Sequence, residues 1–200
     1  MQYLSKELLI EAFEYLGKLL HDNELQCKIC LYGGSALLFI SDFQKMTKDV
    51  DYRIIEVNLK TKESNISNLF TLLTMEVAEK MHFDIDWMNT AVEIFASKNE
   101  EYLYNKSFYN NSLTVITPTL ECLLAMKCIS LREDKDINDI TNILKKLNLY
   151  STKQVIDIVK YFYPNRDISF EMIEKINNIF TRGKNGSSSE QIVKRSCSGM

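Results

Sequence analysis

The sequence predicts a mixed α/β fold in the front half of the chain, through about residue 117, and helices alone in the back half. Two observations predict this division. Segments rich in β-branched and aromatic residues, which are typical of strands, lie in the front half. Apolar residues at three- and four-residue steps, which are typical of amphipathic helices, continue to about residue 181. No internal repeat is visible, so we expect one main domain with a small helical unit attached.

The front half is predicted to open with a helix and then to alternate strands and helices. Residues 5–21 place their apolar side chains on one stripe, and Ser5 is in position to cap that helix. The elements predicted after it are a strand over 26–32, a short helix after Gly33-Gly34, a strand over 49–57, a helix over 66–82, a strand in the segment HFDIDWM at 82–88, and a strand over 113–117.

The back half is predicted to be helical because Pro118 ends the last strand and can open the helix that follows. The helices predicted there are 119–133, 136–147, 152–162 and 168–181. The predicted division is therefore an α/β domain at 1–117, a helical unit packed on it at 118–182, and a tail at 183–200. The tail is rich in glycine and serine and has little to bury, so we expect it to be disordered or an expression remnant.

The composition disfavours several classes of protein. The chain has 46% hydrophobic and 26% charged residues, as an ordinary soluble domain has, and its net charge of -3 gives no global attraction to nucleic acid. No apolar run approaches the roughly 20 residues that span a bilayer. The N-terminal residues interleave Lys and Glu, unlike a signal peptide, so we expect a cytoplasmic protein. The sequence contains neither a P-loop nor a His-Glu-x-x-His metal helix.

The five cysteines make a poor disulfide framework because their number is odd. Cys27 and Cys30 form a lone Cys-x-x-Cys inside a predicted strand, where a three-residue step puts the two thiols on opposite faces. No second pair of ligands follows them. A buried, reduced pair is therefore favoured over a zinc site.

Two short motifs on consecutive predicted strands point to a site for phosphate and metal ions. Gly33, Gly34 and Ser35 form a turn after one strand, and Asp49 and Asp51 open the next. Residues two apart on a strand point to the same side, so the two carboxylates are predicted roughly 6–7 Å apart, where they can bind Mg²⁺. Glycines let backbone N–H groups approach an anion closely, and the start of the next helix adds its positive dipole end.

Each motif alone has a simpler interpretation. A Gly-Gly pair is most often only a turn, and an Asp-x-Asp pair is most often a solvated strand face. Their occurrence together, in order, on consecutive strands favours phosphoryl-transfer chemistry, in which metal ions bridge phosphate oxygens and stabilise the attacking and leaving groups.

With these motifs the chain resembles the minimal nucleotidyltransferase superfamily, whose signature is a glycine turn followed by a paired-aspartate strand. The closer likeness is to AbiEii-like bacterial toxin nucleotidyltransferases, which carry a threonine before the first aspartate, here Thr47, and a Trp-Leu-Asn-like segment, here Trp87-Met88-Asn89. They also carry a Leu-Leu-Ala-x-Lys helix followed by an Asp-x-x-Asp pair, here Lys127, Asp136 and Asp139. The resemblance implies an α+β fold, a small mixed sheet with flanking helices, followed by a C-terminal helical unit.

The resemblance also implies roles for individual residues. It implies metal binding and catalysis by Asp49 and Asp51, and nucleotide binding by Gly33, Gly34, Ser35, Thr47 and Lys127. Lys127 stands alone on an apolar helix, so it needs a partner, either Asp136, Asp139 or a nucleotide phosphate.

A third catalytic carboxylate, which would also bind metal and act as general base, is less clearly marked. Asp86 is the first candidate and Asp84 the second, because a strand there would put both on one face. The chain also departs from the family's pattern at Met46, where an arginine often stands, and at Thr90, where an aspartate often stands.

The function implied is that of an enzyme that uses Mg²⁺ or Mn²⁺ to move a nucleotidyl group from a nucleoside triphosphate to a hydroxyl acceptor. The toxin branch implies RNA such as tRNA, or a protein, as acceptor, and an antitoxin protein as the partner in a toxin-antitoxin pair. Two alternatives stay open. One is a catalytically inactive nucleotide-binding or partner-binding module with the same fold, and the other is a helical adaptor whose α/β half has no chemical role.

Overall fold

The computed structural model describes residues 2–59, 66–97, 99–130 and 132–181. Their contacts divide the chain into two compact units. The first comprises Met1–Ala96 and Glu100–Thr119, and the second comprises Ser97–Asn99 and Leu120–Met200. In the described part of the chain, strands lie in the first unit alone, and the predicted α+β fold is confirmed. The tail predicted at 183–200 lies outside the described residues.

The first unit is built on a five-stranded mixed sheet. Its strands are β2 (Leu25–Leu31), β4 (Val50–Leu59), β5 (Met88–Asn89), β6 (Tyr102–Phe108) and β7 (Leu113–Pro118), in the order β5-β4-β2-β7-β6. The pairs β2-β7 and β4-β5 are parallel, and the pairs β2-β4 and β6-β7 are antiparallel. A separate ribbon joins β1 (Leu4–Ser5) to β3 (Met46–Thr47). The strand that carries Asp51 and directly follows Asp49, β4, is therefore the direct neighbour of the strand that ends at the glycine turn.

The helices of the first unit are α1 (Lys6–Asp22), α2 (Gly33–Ile40), α3 (Ile66–Met81) and a short 3-10 helix (Ala91–Phe95). The hydroxyl of Ser5 caps α1 as predicted, accepting a hydrogen bond of 3.3 Å from the Leu8 N–H. The ring of Phe13 on α1 lies at the centre of an aromatic cluster with Phe39, Trp87 and Phe108. This cluster fixes α1 and α2 against one face of the sheet.

Trp87 holds the edge strand β5 in place. Its indole N–H donates to the carbonyl of Thr74 at 2.9 Å, and its own carbonyl accepts from the Val50 N–H at 2.6 Å. The ring is buried against Phe13 and Phe83. Trp87 thus sets the position of β5 beside the start of β4.

The second unit is helical in its described part, with α4 (Leu120–Ser130), α5 (Glu133–Lys146), α6 (Thr152–Phe162) and a last helix, α7, over 170–181. Ser151 and Gln154 form a capping box at the start of α6. At the other end of α6, Ser97 and Asn99 donate to the carbonyls of Phe162 and Tyr161 at 2.6 and 2.8 Å. None of the helices in the described ranges is long and apolar enough to cross a membrane.

The strand predicted in the segment HFDIDWM is wrong. His82 adopts a positive φ of 58° and ends α3, and the Trp87 N–H closes a turn on the Asp84 carbonyl at 3.0 Å. Phe83 and Trp87 are both buried. In a strand, residues 83, 85 and 87 would point to one face, so Ile85 would be buried with them. Ile85 is instead 59% exposed, so the chain turns here and only Met88–Asn89 pair as a strand.

The structure also contains strands that the sequence did not reveal. In the edge strand β6, half-buried or buried side chains alternate with exposed ones from Tyr104 to Phe108, but polar Lys106 stands at one of the half-buried positions, so the sequence does not show the apolar alternation that marks a half-buried strand. β1 and β3 are two residues each, which is too short for a periodic pattern.

Cys27 and Cys30 are buried, reduced thiols on β2, as predicted. Burial raises the pKa of both thiols to about 12. Both therefore stay protonated near neutral pH, and the protonated thiol is neither the nucleophile nor the metal-binding form of cysteine.

Candidate active site

The first turn of α2 is the centre of the candidate site. β2 ends at Leu31, Tyr32 is extended, and α2 begins directly at Gly33, two residues earlier than the Ser-Ala-Leu-Leu segment predicted to be helical. No side chain caps this helix, and its first intrahelical bond runs from the Ala36 N–H to the Tyr32 carbonyl. The N–H groups of Gly33, Gly34 and Ser35 precede that bond and have no acceptor within the helix, which makes them available to an anion.

The Asp51 carboxylate lies over the first residue of α2. A Cβ atom on Gly33 would lie 2.6 Å from Oδ2 of Asp51, and the φ of Gly33 is +57°. Both facts require glycine, because a side chain would clash with the carboxylate and would strain the backbone. The Tyr32 N–H also donates to the Asp51 carbonyl at 2.9 Å, so the glycine turn and the aspartate strand are joined at this point.

Thr47 lies over the second glycine. A Cβ on Gly34 would lie 2.8 Å from Oγ1 of Thr47. That hydroxyl donates to the Asp49 carbonyl at 3.0 Å, and Thr47 is 7% exposed. Thr47 therefore shapes the bend that leads into β4 and fixes the backbone that carries Asp49.

Replacing Gly33 with alanine is expected to destabilise the chain by about 1–2 kcal/mol, because alanine disfavours a positive φ and Asp51 must move. The measurement is urea unfolding followed by circular dichroism. Gly34→Ala is the matched control, since Gly33 has a positive φ and Gly34 does not, and at Gly34 only the Thr47 hydroxyl must move. Equal losses in the two variants would contradict the special conformation of Gly33.

The Ser35 hydroxyl is used within the turn. It is fully buried and donates to the Tyr32 carbonyl at 2.8 Å. The hydroxyl proton is therefore committed to the protein in this arrangement, and Ser35 contributes its backbone N–H to the first turn of α2.

The two aspartates differ in exposure. Asp49 lies in the bend just before β4 and is exposed, whereas Asp51 is the second residue of β4 and is half-buried. The parallel register of β4 and β5 pairs Asp51 with Asn89. Paired residues on adjacent strands point to the same face, so an amide side chain is the next polar group beside Asp51 on that face.

The predicted third carboxylate does not join this pair. Asp84 and Asp86 are exposed residues in and beside the turn that precedes β5, because the strand predicted there is absent. Among the residues that the structure describes, no group of three or more His, Cys, Asp or Glu side chains is placed to hold a metal ion. The role of Asp86 stays a prediction.

Lys127 lies in the second unit, within an ion cluster of its own. Its Nζ is 3.1 Å from Asp136 and 2.6 Å from Asp139, so both predicted protein partners are present. The buried Asp136 carboxylate also accepts from the Arg132 backbone N–H at 2.9 Å and from the Ser130 hydroxyl at 3.0 Å. Burial alone would raise the pKa of Asp136, but the charge of Lys127 and the hydrogen bonds from Arg132 outweigh it and lower that pKa.

The first unit contains a second charged cluster, which was not predicted from the sequence. Arg53 on β4 pairs with the buried carboxylate of Glu100 at 2.5 Å. Glu100 also accepts from the hydroxyls of Tyr32 at 2.9 Å and Tyr102 at 3.0 Å. One signal was visible, because Asp49, Asp51 and Arg53 alternate along the strand segment. Glu100 gave none, since it lies in a polar stretch without periodicity.

These features define a class of protein: an α+β fold in which a helix opened by glycines meets a strand opened by paired aspartates, as in nucleotidyltransferases. A family model described as "Nucleotidyltransferase of unknown function (DUF6036)" matches residues 7–177. The chain therefore belongs to this family of nucleotidyltransferases. No curated protein and no solved structure matches it.

Proposed function

We propose that this chain is a metal-dependent nucleotidyltransferase that moves a nucleotidyl group from a nucleoside triphosphate to a hydroxyl acceptor. The observation that carries the proposal is the position of the Asp51 carboxylate over Gly33, at the start of α2. A phosphate-binding helix terminus and a metal-binding carboxylate meet at one point there.

Charge explains why a metal ion belongs in this proposal. The first turn of α2 attracts anions, but a triphosphate placed there meets the negative charge of Asp51, with Asp49 two residues away. A divalent cation held by the two carboxylates removes that repulsion. Mg²⁺ or Mn²⁺ would also stabilise the charge that develops on the leaving pyrophosphate.

We assign the protein's own groups as follows. Backbone N–H groups of Gly33, Gly34 and Ser35 bind phosphate, Thr47 fixes the bend beside them, and Asp49 and Asp51 bind metal. For Lys127, the two ion pairs within its own unit favour a structural role over phosphate binding.

The acceptor and partners belong to the finer part of the proposal. The likeness of residues 28–147 to AbiEii-like toxins supports RNA such as tRNA, or a protein side chain, as the hydroxyl acceptor. It also supports a cytoplasmic toxin whose activity an antitoxin protein restrains.

The test is transfer of label from each of the four ribonucleoside triphosphates into total RNA and into protein, with Mg²⁺ or with a chelator. Label at the α-phosphate should enter the acceptor in the presence of Mg²⁺. Label at the γ-phosphate should not, because it leaves with pyrophosphate. Transfer of γ-label would instead indicate a kinase-type reaction and would overturn the proposal.

A second candidate function is a catalytically inactive module that binds nucleotide or a partner with the same fold. It is favoured by the place of Asp86, which the described structure does not gather with the aspartate pair. This candidate predicts Mg²⁺-dependent binding of nucleoside triphosphate without transfer of label to any acceptor.

A further inference from the structure

We propose that Arg53 is a phosphate-binding cation of the nucleotide site and that Glu100 is the residue that positions it. This inference rests on the proposed function, and it names a residue outside the glycine turn and the aspartate pair. Three observations carry it, namely the face on which Arg53 lies, the burial of its partner, and the link from that partner to the glycine turn.

Arg53 shares a strand face with Asp51. The two residues are two apart on β4, in a stretch where the register with β2 is regular, from Tyr52 paired with Leu31 to Arg53 paired with Cys30. Residues two apart on a strand point to one face, with Cα atoms about 6.6 Å apart. The arginine therefore rises from the same side of the sheet as the carboxylate that covers Gly33.

In this ion pair the Glu100 carboxylate is buried and the Arg53 guanidinium is partly exposed. The Glu100 side chain is 3% exposed, whereas the Arg53 side chain is 28% exposed. Among the described residues the guanidinium makes its hydrogen bond to Glu100 through Nη2, and an arginine carries five N–H donors. A guanidinium held at one corner keeps its other N–H donors for a second anion, and two of them can bind two oxygens of one phosphate group.

Glu100 connects this arginine to the glycine turn. Its carboxylate accepts hydrogen bonds from the hydroxyl of Tyr32, the residue directly before Gly33, and from the hydroxyl of Tyr102. Burial raises the pKa of Tyr32 and that of Tyr102, the latter to about 12, so both hydroxyls remain protonated donors. The same Tyr32 donates its N–H to the Asp51 carbonyl. The glycine turn, Asp51 and Arg53 are thus fixed relative to one another through Tyr32 and Glu100.

The experiment is isothermal titration of each of the four ribonucleoside triphosphates with Mg²⁺, and of the corresponding monophosphates, into wild type and variants. Arg53→Gln is expected to weaken binding of the preferred triphosphate at least about tenfold and to change monophosphate binding by less than about threefold, because a charge-assisted contact to the outer phosphates is lost. Arg53→Lys should bind the triphosphate with an affinity between those of wild type and Arg53→Gln, since lysine keeps the positive charge but lacks the paired N–H donors of the guanidinium. Lys106→Gln is the matched control. Arg53 lies in the same row of the sheet as Cys30 and Ile116, whereas Lys106 pairs with Val115, one residue along, and so points to the opposite face.

The role of Glu100 is tested by a double-mutant cycle. Glu100→Gln alone should weaken triphosphate binding, and it should have no further effect when Arg53 is already glutamine, because Glu100 acts through Arg53. A merely structural Glu100 would lower the unfolding midpoint in both backgrounds and leave affinity unchanged. If Arg53→Gln does not fold, Arg53→Lys and Tyr102→Phe carry the test.

The outcomes separate the two proposals. Triphosphate binding by wild type that Arg53→Gln and Arg53→Lys leave unchanged would overturn the role of Arg53 and leave the proposed function standing. No triphosphate binding by wild type would overturn both.

Discussion

Replacing Asp51 with asparagine is expected to lower nucleotidyl transfer by at least about a thousandfold, because a bound metal contributes several kcal/mol of charge stabilisation to such reactions and about 1.4 kcal/mol corresponds to a factor of ten. The amide keeps the size of the carboxylate over Gly33, so the fold of the turn should be retained. The measurement is the initial rate of α-label transfer with Mg²⁺, alongside the unfolding midpoint of each variant.

Three further variants make this result specific. Asp49→Asn should show a loss of similar size, since the proposal gives both carboxylates to the metal. Asp22→Asn is the control, because that aspartate is exposed at the end of α1 and has no role in the proposed site. Transfer by Asp51→Asn within tenfold of wild type would remove the aspartate pair from the reaction. Asp86→Asn in the same assay separates two catalytic arrangements, because loss of turnover with retained nucleotide binding would make Asp86 the third carboxylate.

The local part of the candidate site was predictable from sequence. Glycine, aspartate and strand periodicity are local signals, and they indicated that the glycine turn and the aspartate strand follow one another. The spacing of residues along the chain does not show which strands are neighbours. The structure shows that β2 and β4 are paired and that the Asp51 carboxylate lies over Gly33. The partners of Lys127 were also predictable, because an ammonium on an apolar helix must be paired and the next acidic residues are close along the chain.

The missed parts depend on contacts that are distant in sequence. Arg53 and Glu100 are 47 residues apart, and nothing local in the stretch around Glu100 indicates a buried carboxylate. The strand prediction for residues 82–88 was wrong for a different reason. Alternating aspartates imitate the period of a strand, but the burial of Phe83 and Trp87 decides the backbone path, and the aspartates are left exposed.

Replacing Asp136 with asparagine is expected to lower the free energy of unfolding by about 3 kcal/mol, the lower end of the cost of removing one partner from a buried ion pair. Asp136 is fully buried, and the amide cannot replace the charge that faces Lys127. The cost stays near the lower end because Asp139, 21% exposed, remains 2.6 Å from the ammonium. Urea unfolding measures the loss, and Asp157→Asn on the exposed face of α6 should change stability by less than about 0.5 kcal/mol.

The same carboxylate makes stability depend on acid pH. Its pKa is lowered in the folded chain, so its contribution is fully present above the ordinary carboxyl pKa of about 3.9 and is lost as the pH falls through the lower, folded value. The difference in unfolding free energy between wild type and Asp136→Asn should therefore be constant from pH 7 to about pH 5 and shrink below about pH 4. If the difference were unchanged at pH 3, the charge of Asp136 would not be what stabilises the chain. Asp136 would then act through its shape and hydrogen bonds, which protonation leaves in place.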